Sequence, residues 1–127
     1  AVVVTSSLAA ARGTPCMAAY AASKAALQAL VKTAAKDLAP FNIRVNTVSP
    51  ALIGPGKLWD RQNQLHAASG SPYFARDPAA VAASKIGAVP LKRLGTVTEV
   101  AKTVTFLLSQ DSSYTTGHNI DVAGGLA

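Results

Sequence analysis

No stretch of this sequence is long enough to cross a membrane as a helix. Lys24, Lys32 or Lys36 interrupts the longest apolar runs, well short of the roughly 18 to 20 uncharged residues a span needs. Cys16 is the only cysteine, which excludes an internal disulfide and points to a reducing, cytoplasmic compartment. The first residues carry no basic region, apolar core and cleavage site in succession, so no secretory signal is expected. His66 and His118 lie far apart without a set of further ligands around them, so no metal site is expected. A glycine-rich phosphate loop is missing too, and with position 1 an alanine and Met17 the only methionine, a fragment or processed chain is expected.

Acidic residues are scarce, six against twelve Lys and Arg, and the net charge is +6. Such an excess raises the question of a nucleic-acid partner. The charges are spread out, however: Arg12, Lys32, Lys36, Arg44, Lys57, Arg61, Arg76, Lys85 and Lys102 stand alone, and only Lys92 and Arg93 are adjacent. They read as a solvated surface, and no nucleic-acid partner is expected. A phosphate-bearing cofactor would account for part of the excess.

What remains is a chain of 127 residues, 50% hydrophobic and 14% charged, suited to one globular domain. Residues 1–6, with three consecutive valines, read as a strand buried on both faces. Thr14 as cap and Pro15 in the first turn predict a helix running to Ala39, with Pro40 ending it. Residues 43–49 alternate as a second strand, which makes a parallel strand-helix-strand unit. Residues 51–90 are punctuated by Gly and Pro, with helices expected over 57–69 and from Pro78, capped by Asp77. A connection of that length reads as a binding loop or lid. A helix over 97–109, capped by Thr96 or Thr98 with Val100, Val104, Leu107 and Leu108 on its apolar face, leads to a third strand over 119–122. The prediction is an α/β fold, an open parallel sheet with helices on its faces.

In such sheets ligands bind beyond the carboxyl ends of the strands. Ser7 follows the first strand and Pro50 closes the second, so both are expected at one edge. Tyr20 and Lys24, four residues apart on a helix, share a face near the start of the helix. An ammonium beside a phenol favours the phenolate, so the pair could exchange a proton with an alcohol or carbonyl oxygen while Ser7 holds that oxygen. Hydride would have to move to or from a nicotinamide.

Ser7 with Tyr20-Ala21-Ala22-Ser23-Lys24, then residues 43–50, Pro90 to Gly95, Glu99-Val100-Ala101 and Gly117 to Ile120, resemble the short-chain dehydrogenase/reductase family over nearly the whole chain. The resemblance implies a partial Rossmann-like domain over 1–127, with the amino-terminal glycine-rich βαβ half absent and residues 51–90 as substrate lid. It implies Tyr20 as catalytic acid and base, Lys24 as its electrostatic partner and a ribose ligand, and Ser7 as stabiliser of the substrate oxygen. Pro50, Ala51 and the backbone of Ile53 would approach the nicotinamide of NAD or NADP, and Trp59, Leu65, Tyr73 and Phe74 would be lid contacts to a small alcohol or carbonyl. The small face of Ala22, Ala25, Ala26 and Ala29 implies a homo-oligomer. Three departures accompany the resemblance. The glycine-rich loop, the adenine-side selector and a relay asparagine would lie upstream of residue 1. Pro50-Ala51, then Gly54-Pro55, replace the usual Pro-Gly and hydroxyl residue, and Ala123 replaces an acidic residue before Gly124-Gly125.

Overall fold

The computed structural model describes residues 1–126. The elements are β1 (Val2–Thr5), α1 (Ala9–Arg12), α2 (Ala18–Leu38), β2 (Val45–Pro50), α3 (Lys57–Ala68), α4 (Pro78–Ala88), α5 (Val97–Leu108) and β3 (Asn119–Val122). The three strands form one parallel sheet in the order β1-β2-β3, in register Val2 to Val45 and Thr47 to Asn119. This is the expected α/β architecture of a parallel sheet flanked by helices. No helix among the described residues is long and apolar enough to cross a membrane.

β2 is the centre, and its residues from Val45 to Ser49 are all buried. Val45 packs against Val31 and Ala35 of α2, joined by Val4, Ala34, Leu38 and Ile43. The polar members of the strand are buried only because each has a partner. Asn46 donates through Nδ2 to the Thr115 carbonyl at 2.8 Å and accepts the His118 N–H through Oδ1 at 3.0 Å. Ser49 Oγ accepts from Gln28 Nε2 at 3.1 Å and donates to Asn119 Oδ1 at 2.6 Å, which joins α2, β2 and β3.

Several sequence expectations are corrected. β1 is not buried on both faces: Val2 is exposed, and Val3 and Val4 are half-buried. It is an edge strand among the described residues, with β2 on one side only. Thr14 does not cap the long helix, and Pro15 does not enter it. The Met17 N–H donates to the Thr14 carbonyl at 3.2 Å, with Pro15 second and Cys16 third at φ 65°. Proline at the second position and a positive φ at the third are the marks of a type II turn, and it delays α2 to Ala18. The short helix α1 was not anticipated. β2 begins at Val45 rather than Ile43, and Leu108 is exposed while Leu107 is fully buried.

Arg44 is the largest correction. Instead of a solvated charge, it is a half-buried cross-link between the start of β2 and the end of α5. Its Nη1 donates to the Leu107 carbonyl at 3.0 Å, Ser112 Oγ at 2.9 Å and the Thr115 carbonyl at 3.2 Å, and its Nη2 donates to the Ser109 carbonyl at 2.9 Å.

Other expectations match the structure. Asp77 caps α4 by accepting the N–H groups of Ala79 and Ala80. Thr96 and Glu99 form a reciprocal capping box on α5.

Candidate active site

The carboxyl end of β1 is stapled to α2 at the level of Lys24. Ser6 Oγ donates to the Lys24 carbonyl at 3.0 Å, and Lys24 Nζ donates to the Thr5 carbonyl at 3.2 Å. Ser7 therefore leaves the strand beside the first turns of α2. Its Oγ accepts the Ala9 N–H at 3.3 Å, which leaves the hydroxyl proton free to be donated elsewhere. α1 thus orients Ser7, a role the sequence did not reveal.

Tyr20 stands in the first turn of α2, one turn before that staple, and is 43% exposed. The Lys24 ammonium lies 5.8 Å from the centre of the Tyr20 ring. One ammonium donor is spent on Thr5, and an ammonium has three, so others remain for a hydroxylated ligand. Chemically, the arrangement offers a phenol, an ammonium near its ring and a hydroxyl donor at one sheet edge.

Pro50, Ala51 and Ile53 follow the same edge of β2. The Pro50 carbonyl accepts the Leu8 N–H at 3.2 Å, and the Ala51 N–H donates to the Val122 carbonyl at 3.1 Å. Gly54 N–H donates to the Gly95 carbonyl at 3.0 Å, and Gly95 N–H donates to the Leu52 carbonyl at 3.1 Å. In this parallel pairing the N–H and C=O of Ile53 itself point away from Gly95. A flat amide such as a carboxamide fits a peptide group presented in that way. A cavity of about 280 Å³ also borders Ala51, between β3, α5 and residues 89–95. None of Ser7, Tyr20 and Lys24 lines it.

The 51–90 region folds chiefly on itself. Trp59 is buried against Gly54, and the Lys85 ammonium lies 5.3 Å from its ring while donating to Asn63 Oδ1 at 2.8 Å. Phe74 stacks on His66 at 4.1 Å. Leu65 and Tyr73 are exposed. Of the four expected lid contacts, Trp59 and Phe74 thus pack within the region, and Leu65 and Tyr73 lie at its surface. One residue of the 51–90 region that sequence reasoning missed does reach the start of α2: Gln62, whose Nε2 lies 3.6 Å from Met17 Sδ. A lone amide within a helix carries no sequence signal for such a role.

Burial and the Lys85 charge push the His66 imidazole below its ordinary value, and burial brings the Lys85 ammonium down to about 8. The His66 Nδ1 is buried without a partner. In the unfolded chain His66 takes up a proton near 6.5, whereas the folded chain resists until lower pH. The unfolded state thus binds more protons in that interval, and stability falls as pH falls below 6.5. The thermal midpoint is expected to drop on acidification from about pH 7.5 to about pH 5.5, and to drop less in His66→Phe. An equal drop in both would count against His66 as the source.

Comparison with known proteins places the chain in a family. A family model described as enoyl-(acyl carrier protein) reductase matches residues 1–127. The 3-oxoacyl-[acyl-carrier-protein] reductase FabG of Thermotoga maritima is 37% identical over 125 residues, which are 98% of this chain and 44% of that protein. The crystal structure of an NAD+-bound xylitol dehydrogenase is 53% identical with a TM-score of 0.95, covering 97% of this chain and 47% of that one. An NADPH-bound short chain oxidoreductase of Pseudomonas aeruginosa PAO1, with an atypical catalytic center, is 37% identical with a TM-score of 0.78, covering 100% of this chain and 46% of that one. The chain thus spans less than half the length of each of these proteins.

Proposed function

Because the chain belongs to the short-chain dehydrogenase/reductase family, we propose that it carries the proton-transfer site of an NAD- or NADP-dependent oxidoreductase interconverting a small alcohol and its carbonyl. The observation that supports this most is the staple of Lys24 to Thr5, which holds the ammonium beside the Tyr20 ring at the end of β1. In the oxidising direction the Tyr20 phenolate takes the hydroxyl proton of the alcohol, and Ser7 Oγ donates a hydrogen bond to the same oxygen. Lys24 keeps the phenolate charge compensated and directs its remaining donors at ribose hydroxyls. Pro50, Ala51 and the outward peptide groups of Ile53 bound the place for the carboxamide. When bound, the nicotinamide supplies the hydride acceptor or donor, which no side chain can replace.

In this reading residues 1–127 form one partial Rossmann-type domain, and residues 51–90 cover the substrate. The whole protein assembles as a homo-oligomer through the exposed alanine face of α2 (Ala22, Ala26 and Ala29). A cytoplasmic location fits the exposed, unpaired Cys16. The xylitol dehydrogenase relative makes a polyol the first substrate to test. The whole protein, given xylitol or a simple secondary alcohol with NAD+ or NADP+, is expected to generate reduced cofactor, followed by its absorbance. No reduction with either cofactor across a panel of polyols, simple alcohols and, in reverse, ketones would reject the reading.

A further inference from the structure

Gln62 projects from α3 onto Met17, the residue immediately before α2. Among the described residues, the contact to Met17 Sδ is the only side-chain hydrogen bond its amide makes. A thioether sulfur is a weak acceptor, and an amide can both donate and accept more strongly than this contact uses. The side chain is half-buried, so it is neither fully hydrated nor fully satisfied.

Its position gives that spare capacity a direction. Met17 precedes Tyr20 by three residues, which puts the two on one face, about one turn or roughly 5 Å apart along the axis. Side chains on a helix lean toward its amino terminus, so the Tyr20 ring inclines over the turn that Met17 begins. Through its contact with Met17, the Gln62 amide is held about one helical turn from the residue that bears the phenol.

We propose that Gln62 is a specificity-determining residue, which exchanges its contact with Met17 for a hydroxyl group near the reacting carbon and so favours polyols over simple alcohols. The inference rests on the oxidoreductase reading above. A hydroxyl matches the amide in both directions, since each group donates and accepts. A substrate without that hydroxyl covers the amide and leaves it unpaired, and such sites discriminate against the analogue that lacks the group. Met17 serves as the resting partner, polarisable and flexible enough to yield.

The test uses the whole protein with its cofactor and compares kcat/KM for xylitol and 2-butanol. In Gln62→Leu the ratio of the two is expected to fall by about 10- to 100-fold, the range that one unmade hydrogen bond spans, through a higher KM for xylitol. Gln62→Met, which keeps the length of the side chain, is expected to do the same, so a folding defect in one variant does not decide the matter. Met17→Leu, which removes only the resting partner, is expected to keep the ratio at or above that of the unaltered protein. An unchanged ratio in both Gln62 variants, with both substrates oxidised, overturns the proposal and leaves the oxidoreductase reading intact. Failure of the unaltered protein across the whole panel of polyols, simple alcohols and ketones overturns that reading and this one with it.

Discussion

Tyr20→Phe is expected to lower kcat by about 10²- to 10⁴-fold, the range that positioned general acid–base groups contribute, with cofactor affinity and thermal midpoint close to unchanged. The separation of those effects follows from how Tyr20 is held. The residue is 43% exposed, and among the described residues its phenol oxygen has no hydrogen-bond partner in the protein. Phenylalanine therefore removes one oxygen without opening a cavity or stranding a buried group. Lys24→Met is a different experiment, because it also releases the Thr5 carbonyl and so loosens the join between β1 and α2. Its loss of activity would come with a measurable loss of stability, whereas that of Tyr20→Phe would not. Steady-state kinetics with a binding titration and a melt on each variant separate the two. Activity of Tyr20→Phe within tenfold of the unaltered protein would remove Tyr20 from the proton-transfer role.

The parts of this molecule that were legible in the sequence are those specified by neighbours in the chain. Asp77 before Pro78 and Thr96 three residues before Glu99 announce helix starts, because a cap acts on N–H groups within the next turn. Tyr20 and Lys24 share a face for the same local reason. The start of α2 was misread because Pro15 suits both a first helical turn and the second position of a type II turn, and only the positive φ of Cys16 separates them. α1 has no capping side chain and only four residues, so it gave no signal. The exposure of β1 depends on what lies beside it, which three valines cannot report. Arg44 and Gln62 were invisible for a related reason. Their partners lie 63 and 45 residues away, at Leu107 and Met17, and periodicity carries no information over such distances.

Arg44→Met is expected to destabilise the fold by about 3 kcal/mol, a large part of the 5 to 15 kcal/mol typical of a domain. α5 ends with carbonyls that no helical N–H can reach, and Arg44 accepts that task for Leu107 and Ser109 while also holding Thr115. Methionine keeps the apolar stem but leaves these oxygens facing a thioether that cannot donate. Ser112 Oγ still donates toward Leu107 and Ser109, so the loss stays below the sum of the bonds removed. Arg44→Lys tests shape against charge. An ammonium is a compact point, whereas the guanidinium fork spans acceptors contributed by α5 and by the turn that follows it, so Lys is expected to recover only part of the stability. The loss should also reach the site edge. Thr115, released by Arg44, is the residue whose carbonyl orients Asn46, and Asn46 in turn holds the His118 N–H at the entrance to β3. At its other end β3 supplies the Val122 carbonyl that fixes Ala51. Chemical denaturation of the three proteins measures the effect, and a midpoint for Arg44→Met equal to that of the unaltered chain would show that solvent satisfies the end of α5 without the guanidinium.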